Sequence, residues 1–399
     1  MARRDGRELA GKKGIGVHLN LDELRRTEFA ALDGGGIFLN SASIGPLPAR
    51  SVRALAECNA DRARPATWSL ERINTILNDA RHLSARLINA DDDEIALMTN
   101  TTIGINVAAR ALPLKSGDIV LTFDREFPAN IYPWMRLAEK GVRLERVPVT
   151  AAGWPDEGRL HERLGDPEVR AVAVSLTQFS NGYTVHLGAL SRATRDRDKW
   201  LVVDAIQGVG QVPVDVKATP VDFLACGAQK WLLSPWGTGF LYVRKELCAT
   251  LEPSFAGWAA FRGSEDYANL TSYDPRPLPD ARRFELLTFP VQDFAAMNES
   301  LRLILDVGVD QIVSHTRGLH RPIIEWIDQH GGTVTSPRGA RGSAILCIRP
   351  PGDLAGWHAA LQAAGVHCSL REGSIRLSPH LFNTAGEIEK LLTLLASRG

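Results

Sequence analysis

Lys230 stands in Ala225-Cys226-Gly227-Ala228-Gln229-Lys230-Trp231-Leu232-Leu233, an apolar stretch that contains a glycine. A lysine so placed is poorly hydrated and its ammonium pKa falls. The neutral amine that results is the form that condenses with a carbonyl to a Schiff base. A lone lysine is more often a surface residue with its stem laid on apolar atoms. Asp204 closes the apolar run Trp200-Leu201-Val202-Val203-Asp204. Ligands of parallel sheets bind at strand ends, and a carboxylate there pairs with a pyridinium nitrogen and keeps that ring an electron sink. The plainer use of Asp204 is to cap the segment that follows. The interval from Asp204 to Lys230 fits one strand-to-strand crossover, so both can face one pocket. Gln207, three residues on, is within reach of the phenolic oxygen of the same ring.

Three further segments add weaker signals. Asn100-Thr101-Thr102-Ile103-Gly104 follows the strand-like run Ile95 to Met98 and opens a helix. Free backbone N–H groups and two hydroxyls at a helix start form a phosphate cradle, or serve as an ordinary N-cap. Phe127, in Arg125-Glu126-Phe127-Pro128, follows a strand ending at Phe123 and can cover a flat ring or simply pack in the core. Arg376, in Ser374-Ile375-Arg376-Leu377, lies in a short apolar strand. A buried guanidinium needs an anion and accepts a carboxylate in two-pronged fashion, so Arg376 reads as a structural ion pair or as a substrate clamp. The chain has no GxGxxG and no GxxxxGK[ST], which removes support for the usual dinucleotide and nucleoside triphosphate readings.

The elements that must position these residues alternate between strand and helix. Strands are expected at Ile119 to Phe123, Val142 to Val149, Val169 to Leu176, Trp200 to Asp204 and Phe240 to Val243. Helices are expected at Ser51 to Arg64, Glu71 to Ile88 and Arg192 to Asp198. Such alternation implies an α/β fold with a mostly parallel sheet covered on both faces. After about Val291 the pattern shifts to long helices, Gln292 to Asp306 and Asp310 to His330. A compact unit follows, with Ala344 to Ile348, Leu354 to Ala364, Ser374 to Leu377 and Ala385 to Ala396. The expected division is an N-terminal segment 1–35 packing on the small domain or the active site, a large domain 36–291 and a small C-terminal α/β domain 292–399. The stretch Pro253 to Phe284 has no clear period and reads as a long functional excursion.

At 399 residues the chain exceeds what one core organises. Lys+Arg and Asp+Glu both total 46, so no global field favours nucleic acid or an anionic membrane. No apolar run approaches the roughly 20 residues of a membrane span. The basic start reads as a frayed tail and lacks a secretory apolar stretch, so a cytoplasmic location is expected. The five cysteines are widely spaced without CxxC, against a disulfide framework or structural zinc. The ten histidines show no metal spacing, and no metal is assigned; His380 is read as a residue that can line the pocket.

Together these motifs resemble the class V aminotransferase family of fold-type I pyridoxal 5′-phosphate (PLP) enzymes, on the isopenicillin N epimerase-like and kynureninase-like side, with cysteine desulfurases further off. The resemblance runs from Phe38-Leu39-Asn40-Ser41-Ala42 to Asn383-Thr384. It implies a large, mostly parallel seven-stranded sheet domain with a smaller C-terminal domain. Lys230 is then the Schiff-base lysine and proton shuttle at the substrate α-carbon. Asp204 pairs with the pyridinium, Gln207 with the phenolic oxygen, and Phe127 stacks on the ring. Thr101 and Thr102 lie at the phosphate, with Gln229 beside them where the family often places a histidine. Arg376 binds the substrate carboxylate, with Asn40 and Phe179 on the substrate side. The resemblance also implies a homodimer whose partner brings Trp258 and Thr288 to the cofactor phosphate. Cys368 precedes Arg371-Glu372-Gly373 and so misses the position of a desulfurase's sulfur acceptor; Phe127 and Gln229 replace desulfurase histidines. The expected reaction is β-elimination or epimerase-type chemistry on an amino acid, ahead of transamination and of cysteine desulfuration. A PLP-binding regulatory protein and a nucleotide-binding α/β enzyme are the readings from other classes.

Overall fold

The computed structural model describes residues 20–286 and 288–398. Seven strands form the central sheet: β1 Ile95–Leu97, β2 Ile119–Phe123, β3 Arg143–Val147, β4 Val169–Ser175, β5 Trp200–Asp204, β6 Phe223–Gly227 and β7 Gly239–Val243. Their spatial order is β1-β7-β6-β5-β4-β2-β3. The pairs among β2 to β6 are parallel; β7 runs antiparallel to both β6 and β1.

The side chains explain why these runs form a buried sheet. Successive residues of a strand point to opposite faces. Leu201, Val203, Leu224 and Cys226 belong to one apolar cluster, and Val202, Phe223 and Ala225 belong to a second on the other face. Both faces are covered, so β4 to β7 read as continuous apolar runs rather than alternating ones. Helices Leu70–Ile88 and Val291–Val307 contribute to the first cluster, and helix Thr101–Ala111 to the second. Gly104 lets that last helix lie directly on β6: a Cβ there would stand 2.8 Å from Ala225 Cβ.

The smaller sheet is antiparallel, in the order Ser369–Arg371, Ser374–Leu377, Leu346–Arg349 and Thr333–Val334. Its core joins Leu319, Ile323, Trp326, Ile375, Leu377 and Leu391. Ile37 and Leu39 enter this same core, because strand Ile37–Phe38 pairs in parallel with Val366–His367. Helix Val291–Val307, by contrast, sends Phe294, Met297, Leu301 and Ile304 into the large core. The cores therefore divide inside helix Val309–Gln329, past the expected boundary at 291, and the chain at 37–39 serves the small core rather than the large one.

Of the N-terminal segment, helix Leu21–Glu28 is tied to the C-terminal region by Arg25, which bonds Phe382 O at 3.3 Å and faces Glu387 at 3.4 Å. The basic start, read above as a frayed tail, lies outside the described residues. The polar helix expected at Arg192 to Asp198 is instead Leu187–Arg195. Leu187 and Leu190 anchor its first turns, and His186 Nδ1 caps it by accepting the Ala189 N–H at 3.1 Å. The strand expected at Val142 to Val149 is confined to Arg143–Val147. Among the described residues no helix is long and apolar enough to cross a membrane.

Candidate active site

Parallel register sets the floor of the site. Ser175 on β4 faces Asp204 on β5, and Asp204 faces Ala225 on β6, so all three lie near one edge of the sheet, at the carboxyl ends of the strands. β6 ends at Gly227, and the turn that follows presents Lys230 at the same edge.

Asp204 is 2% exposed, and among the described residues the one hydrogen bond to its carboxylate is from the Ile206 N–H at 3.1 Å. Burial pushes its carboxyl up to about 6, opposed by that bond and by the nearby Lys230 charge. Lys230 is half-buried and its ammonium is pushed down to about 8, chiefly by burial. Asp204 pulls the value back up and Arg376 adds to the depression. An amine near 8 has a far larger neutral fraction at physiological pH than an ordinary lysine, with the ammonium still the main form, and this is the direction the sequence context of Lys230 implied.

Phe127 is 42% exposed although it is a large apolar ring. Its centroid lies 5.5 Å from Lys230 Nζ and 5.2 Å from the Phe179 ring, edge to face. An uncovered aromatic face beside the lysine is a ready surface for a planar ring.

The start of helix Thr101–Ala111 borders the same place. Asn100 caps it by accepting the Ile103 N–H at 3.0 Å. Thr101 Oγ1 accepts the Gly227 N–H at 2.9 Å, which leaves its own proton for another acceptor. A Cβ on Gly227 would stand 2.7 Å from Gln229 Oε1 and 3.2 Å from Thr101 Oγ1. Gly227, Gln229 and Thr101 thus converge on one narrow polar cradle. Thr102 beside them is exposed.

Arg376 is 2% exposed. Its Nη1 donates to Phe179 O at 2.8 Å and its Nη2 to Ser43 Oγ at 2.8 Å, while Nε has no partner. Among the described residues no carboxylate pairs with it. Burial pulls its pKa down to about 10. Asn40 supports this corner: its Oδ1 accepts from Ser43 Oγ at 2.8 Å and Ser369 Oγ at 2.7 Å.

Other expectations are placed differently. The Gln207 amide donates to Ala42 O at 2.9 Å and accepts Trp231 Nε1–H at 2.8 Å, so it braces two loops. His380 does not line the pocket; it is fully buried, stacks on Phe382 and bonds Trp231 O at 3.0 Å. Trp258 is 53% exposed and meets Tyr267 edge-on, and Thr288 is exposed. Neither contacts Lys230 within this chain. All five cysteines are free and buried, and burial pushes the Cys368 thiol up to about 12.

Glu126 and Ser43 were missed by sequence reasoning. Glu126 sits one residue before Phe127 yet is buried, because Arg125 takes a left-handed backbone (φ 63°) at the turn out of β2. A glutamate beside an arginine in a strand-end loop gives no sequence signal of burial.

A sequence model of the aminotransferase class-V family matches residues 37–391. The chain belongs to this family, a family of PLP-dependent enzymes. Its similarity extends to a probable cysteine desulfurase of Methanothermobacter thermautotrophicus, 31% identical over 388 residues, covering 89% of this chain and 92% of that protein. Isopenicillin N epimerase of Streptomyces clavuligerus is 28% identical over 390 residues, covering 91% and 95%. Among solved structures, a cystine C–S lyase in complex with cysteine persulfide superposes with a TM-score of 0.84 at 21% identity, covering 92% of this chain and 99% of that one. A cysteine desulfurase from Thermococcus onnurineus gives 0.82 at 22%, covering 94% and 97%. These likenesses establish the fold-type I architecture.

The residues present fit PLP. A narrow polar cradle at a helix start suits a phosphate, a buried acid with one hydrogen bond suits a pyridinium, and an exposed ring beside a depressed lysine suits a planar aldehyde.

Proposed function

We propose that this chain acts on the α-carbon of an amino-acid substrate through a covalent link between PLP and Lys230, with β-elimination or epimerase-type chemistry favoured over transamination. The observation that carries the reading is the pairing of two groups in one pocket: a half-buried amine with a pKa near 8, and a buried guanidinium that no carboxylate among the described residues neutralises. The amine suits covalent attachment and proton transfer; the guanidinium suits an incoming carboxylate.

When bound, the cofactor supplies an electron sink for the α-carbon. Arg376, braced by Phe179 O and Ser43 Oγ, receives the substrate carboxylate and orients the α-proton. Lys230 in its neutral form takes that proton and returns one. Asp204 would keep the ring nitrogen protonated, and attraction to that cationic ring would offset part of the cost of burying its carboxylate. Phe127 covers one face of the ring. Thr101 and Thr102, with Gln229 nearby, hold the phosphate. Gln207 braces the pocket through Ala42 and Trp231, and its second amide N–H would be left for the phenolic oxygen. Trp258 and Thr288, exposed on this chain, serve the phosphate of a second copy in a homodimer.

The relatives named as desulfurases and the structural neighbour named as a C–S lyase favour elimination. The burial and raised pKa of Cys368 weigh against a persulfide on an enzyme thiol. Five unpaired cysteines suit a reducing, cytoplasmic setting.

The test is mass spectrometry of L-amino acids incubated with the holoenzyme in heavy water. A β-fragment lost from one substrate supports elimination, and α-deuterium with inverted configuration supports epimerisation. Stoichiometric formation of an oxo acid that keeps the substrate's whole side chain would replace both with transamination.

A further inference from the structure

Glu126 is 6% exposed, and its carboxylate meets three donors. Oε1 accepts the Ser175 N–H at 2.9 Å and the Gln178 Nε2–H at 2.8 Å; Oε2 accepts the Ser175 hydroxyl. Every partner adjoins a residue of the site. Ser175 stands in register with Asp204. Gln178 precedes Phe179, whose carbonyl oxygen accepts Arg376 Nη1 at 2.8 Å. The Phe179 ring meets Phe127 at 5.2 Å, and Phe127 follows Glu126 directly in the chain. The path from Glu126 through Gln178, Phe179 and Phe127 therefore closes on itself, with Arg376 attached to it.

A buried carboxylate in this position needs a reason, because desolvating a charge is unfavourable unless it is well paired. No cation pairs with Glu126 among the described residues. Burial raises its carboxyl to about 7, the three donors oppose that rise, and the Asp204 charge adds to it. A neutral side chain of similar shape would pack at this spot without such a burden. What the polar fork of Glu126 provides, and an apolar side chain does not, is one group that reaches two donors on one strand end and a third on the loop beyond it.

We propose that Glu126 is a positioning residue that locks Phe127, Phe179 and Arg376 into one frame, so that the surface for the cofactor ring and the clamp for the substrate carboxylate keep a fixed separation. The inference rests on the roles proposed above for Phe127 and Arg376. Misplacement of a binding group by about an ångström lowers productive binding on the order of 10-fold to 100-fold.

The experiment uses the holoenzyme with glycine as the carboxylate-bearing probe and ethylamine as the probe without one, each followed by the visible absorbance of the bound cofactor. Cofactor affinity is measured separately by adding PLP to the apoenzyme, and folding is checked by thermal melting. Glu126→Ala removes all three acceptor contacts. Glu126→Gln keeps Oε1 and turns the other arm into a donor that the Ser175 hydroxyl accepts. Glu126→Asp keeps the charge and shortens the reach. The expected result is weaker glycine binding by about tenfold or more in Glu126→Ala, less loss with ethylamine, weaker PLP affinity, and recovery of both in Glu126→Gln. If Glu126→Ala does not fold, Glu126→Asp must show the same selective loss of glycine binding. A folded Glu126→Ala or Glu126→Asp with parental glycine and PLP binding overturns the proposal, as does equal loss with both probes. Arg376→Ala separates this from the reading beneath it: unchanged glycine binding there removes the clamp, while the PLP affinity of the Glu126 variants still tests the frame.

Discussion

Arg81 and Arg376 are both buried arginines, 9% and 2% exposed, and they sit in opposite electrostatic settings. Arg81, on helix Leu70–Ile88, meets the Glu285 carboxylate through Nε at 3.0 Å and through Nη2 at 2.8 Å to each oxygen. Glu285 also accepts the Leu97 N–H at 2.9 Å, so the pair joins a helix, the edge strand β1 and the irregular stretch before residue 290. Arg376 has a carbonyl, a hydroxyl and an unpartnered Nε instead. The first guanidinium is complete within the chain. The second is desolvated and braced, and among the described residues no carboxylate completes it. Asp204 and Lys230 share this unfinished character, with pKa values displaced toward each other by burial. Charge satisfied internally holds the fold; charge left open marks the site.

Four substitutions sharpen or break that contrast, beginning with the largest effect. Lys230→Ala should lower α-proton exchange in heavy water by about 10⁴-fold or more, with the melting temperature kept near the parent's. Residual exchange at parental rates would place the base elsewhere. Arg81→Ala should act in the opposite sense, destabilising the protein by about 3–5 kcal/mol because it strands Glu285. Denaturant unfolding measures this, and kcat per folded molecule should hold. Arg376→Ala should leave stability unchanged or slightly raised while kcat/KM for a carboxylate substrate falls by a factor equivalent to about 2–5 kcal/mol. A large stability loss with intact kcat/KM would make Arg376 a second Arg81.

The smallest effect concerns Asp204 in the apoenzyme. Its folded pKa of about 6 lies above the ordinary 3.8, so the folded chain holds the proton more tightly than the unfolded one. The associated stability is fully present below pH 3.8 and is lost as pH rises through about 6. The loss is at most about 3 kcal/mol. Asp204→Asn should therefore melt above the parent apoenzyme at pH 8, and the gap should close below pH 4. A gap that does not change with pH would mean that Asp204 is not desolvated. Added PLP should reverse the order at pH 8, because only the aspartate pairs with a ring nitrogen.

Much of the candidate site was legible because its residues sit at punctuation points of the chain. Asp204 ends a run of apolar residues that becomes β5 with the expected limits, and Ile119–Phe123 and Ala385–Ala396 also form where the pattern placed them. A strand buried on both faces leaves an unmistakable apolar block. Helix Leu187–Arg195 starts before the polar run that marks it in the sequence, because its anchoring leucines precede those polar residues. The division between the cores was hidden because helix Val291–Val307 follows the sheet domain in sequence yet packs back onto it. Glu126 was invisible because its burial depends on a backbone reversal at Arg125 and on donors 49 and 52 residues away. The bonds of Gln207 to Ala42 and Trp231 were not legible, because they come from loops that only the fold brings together.

The most direct test of the account is to reduce the holoenzyme with borohydride and map the lysine that carries the phosphopyridoxyl group by peptide mass spectrometry. The label is expected on Lys230, in the peptide that also contains Gln229 and Trp231. A label on any other lysine, or holoenzyme that releases all of its cofactor unlabelled, would contradict it.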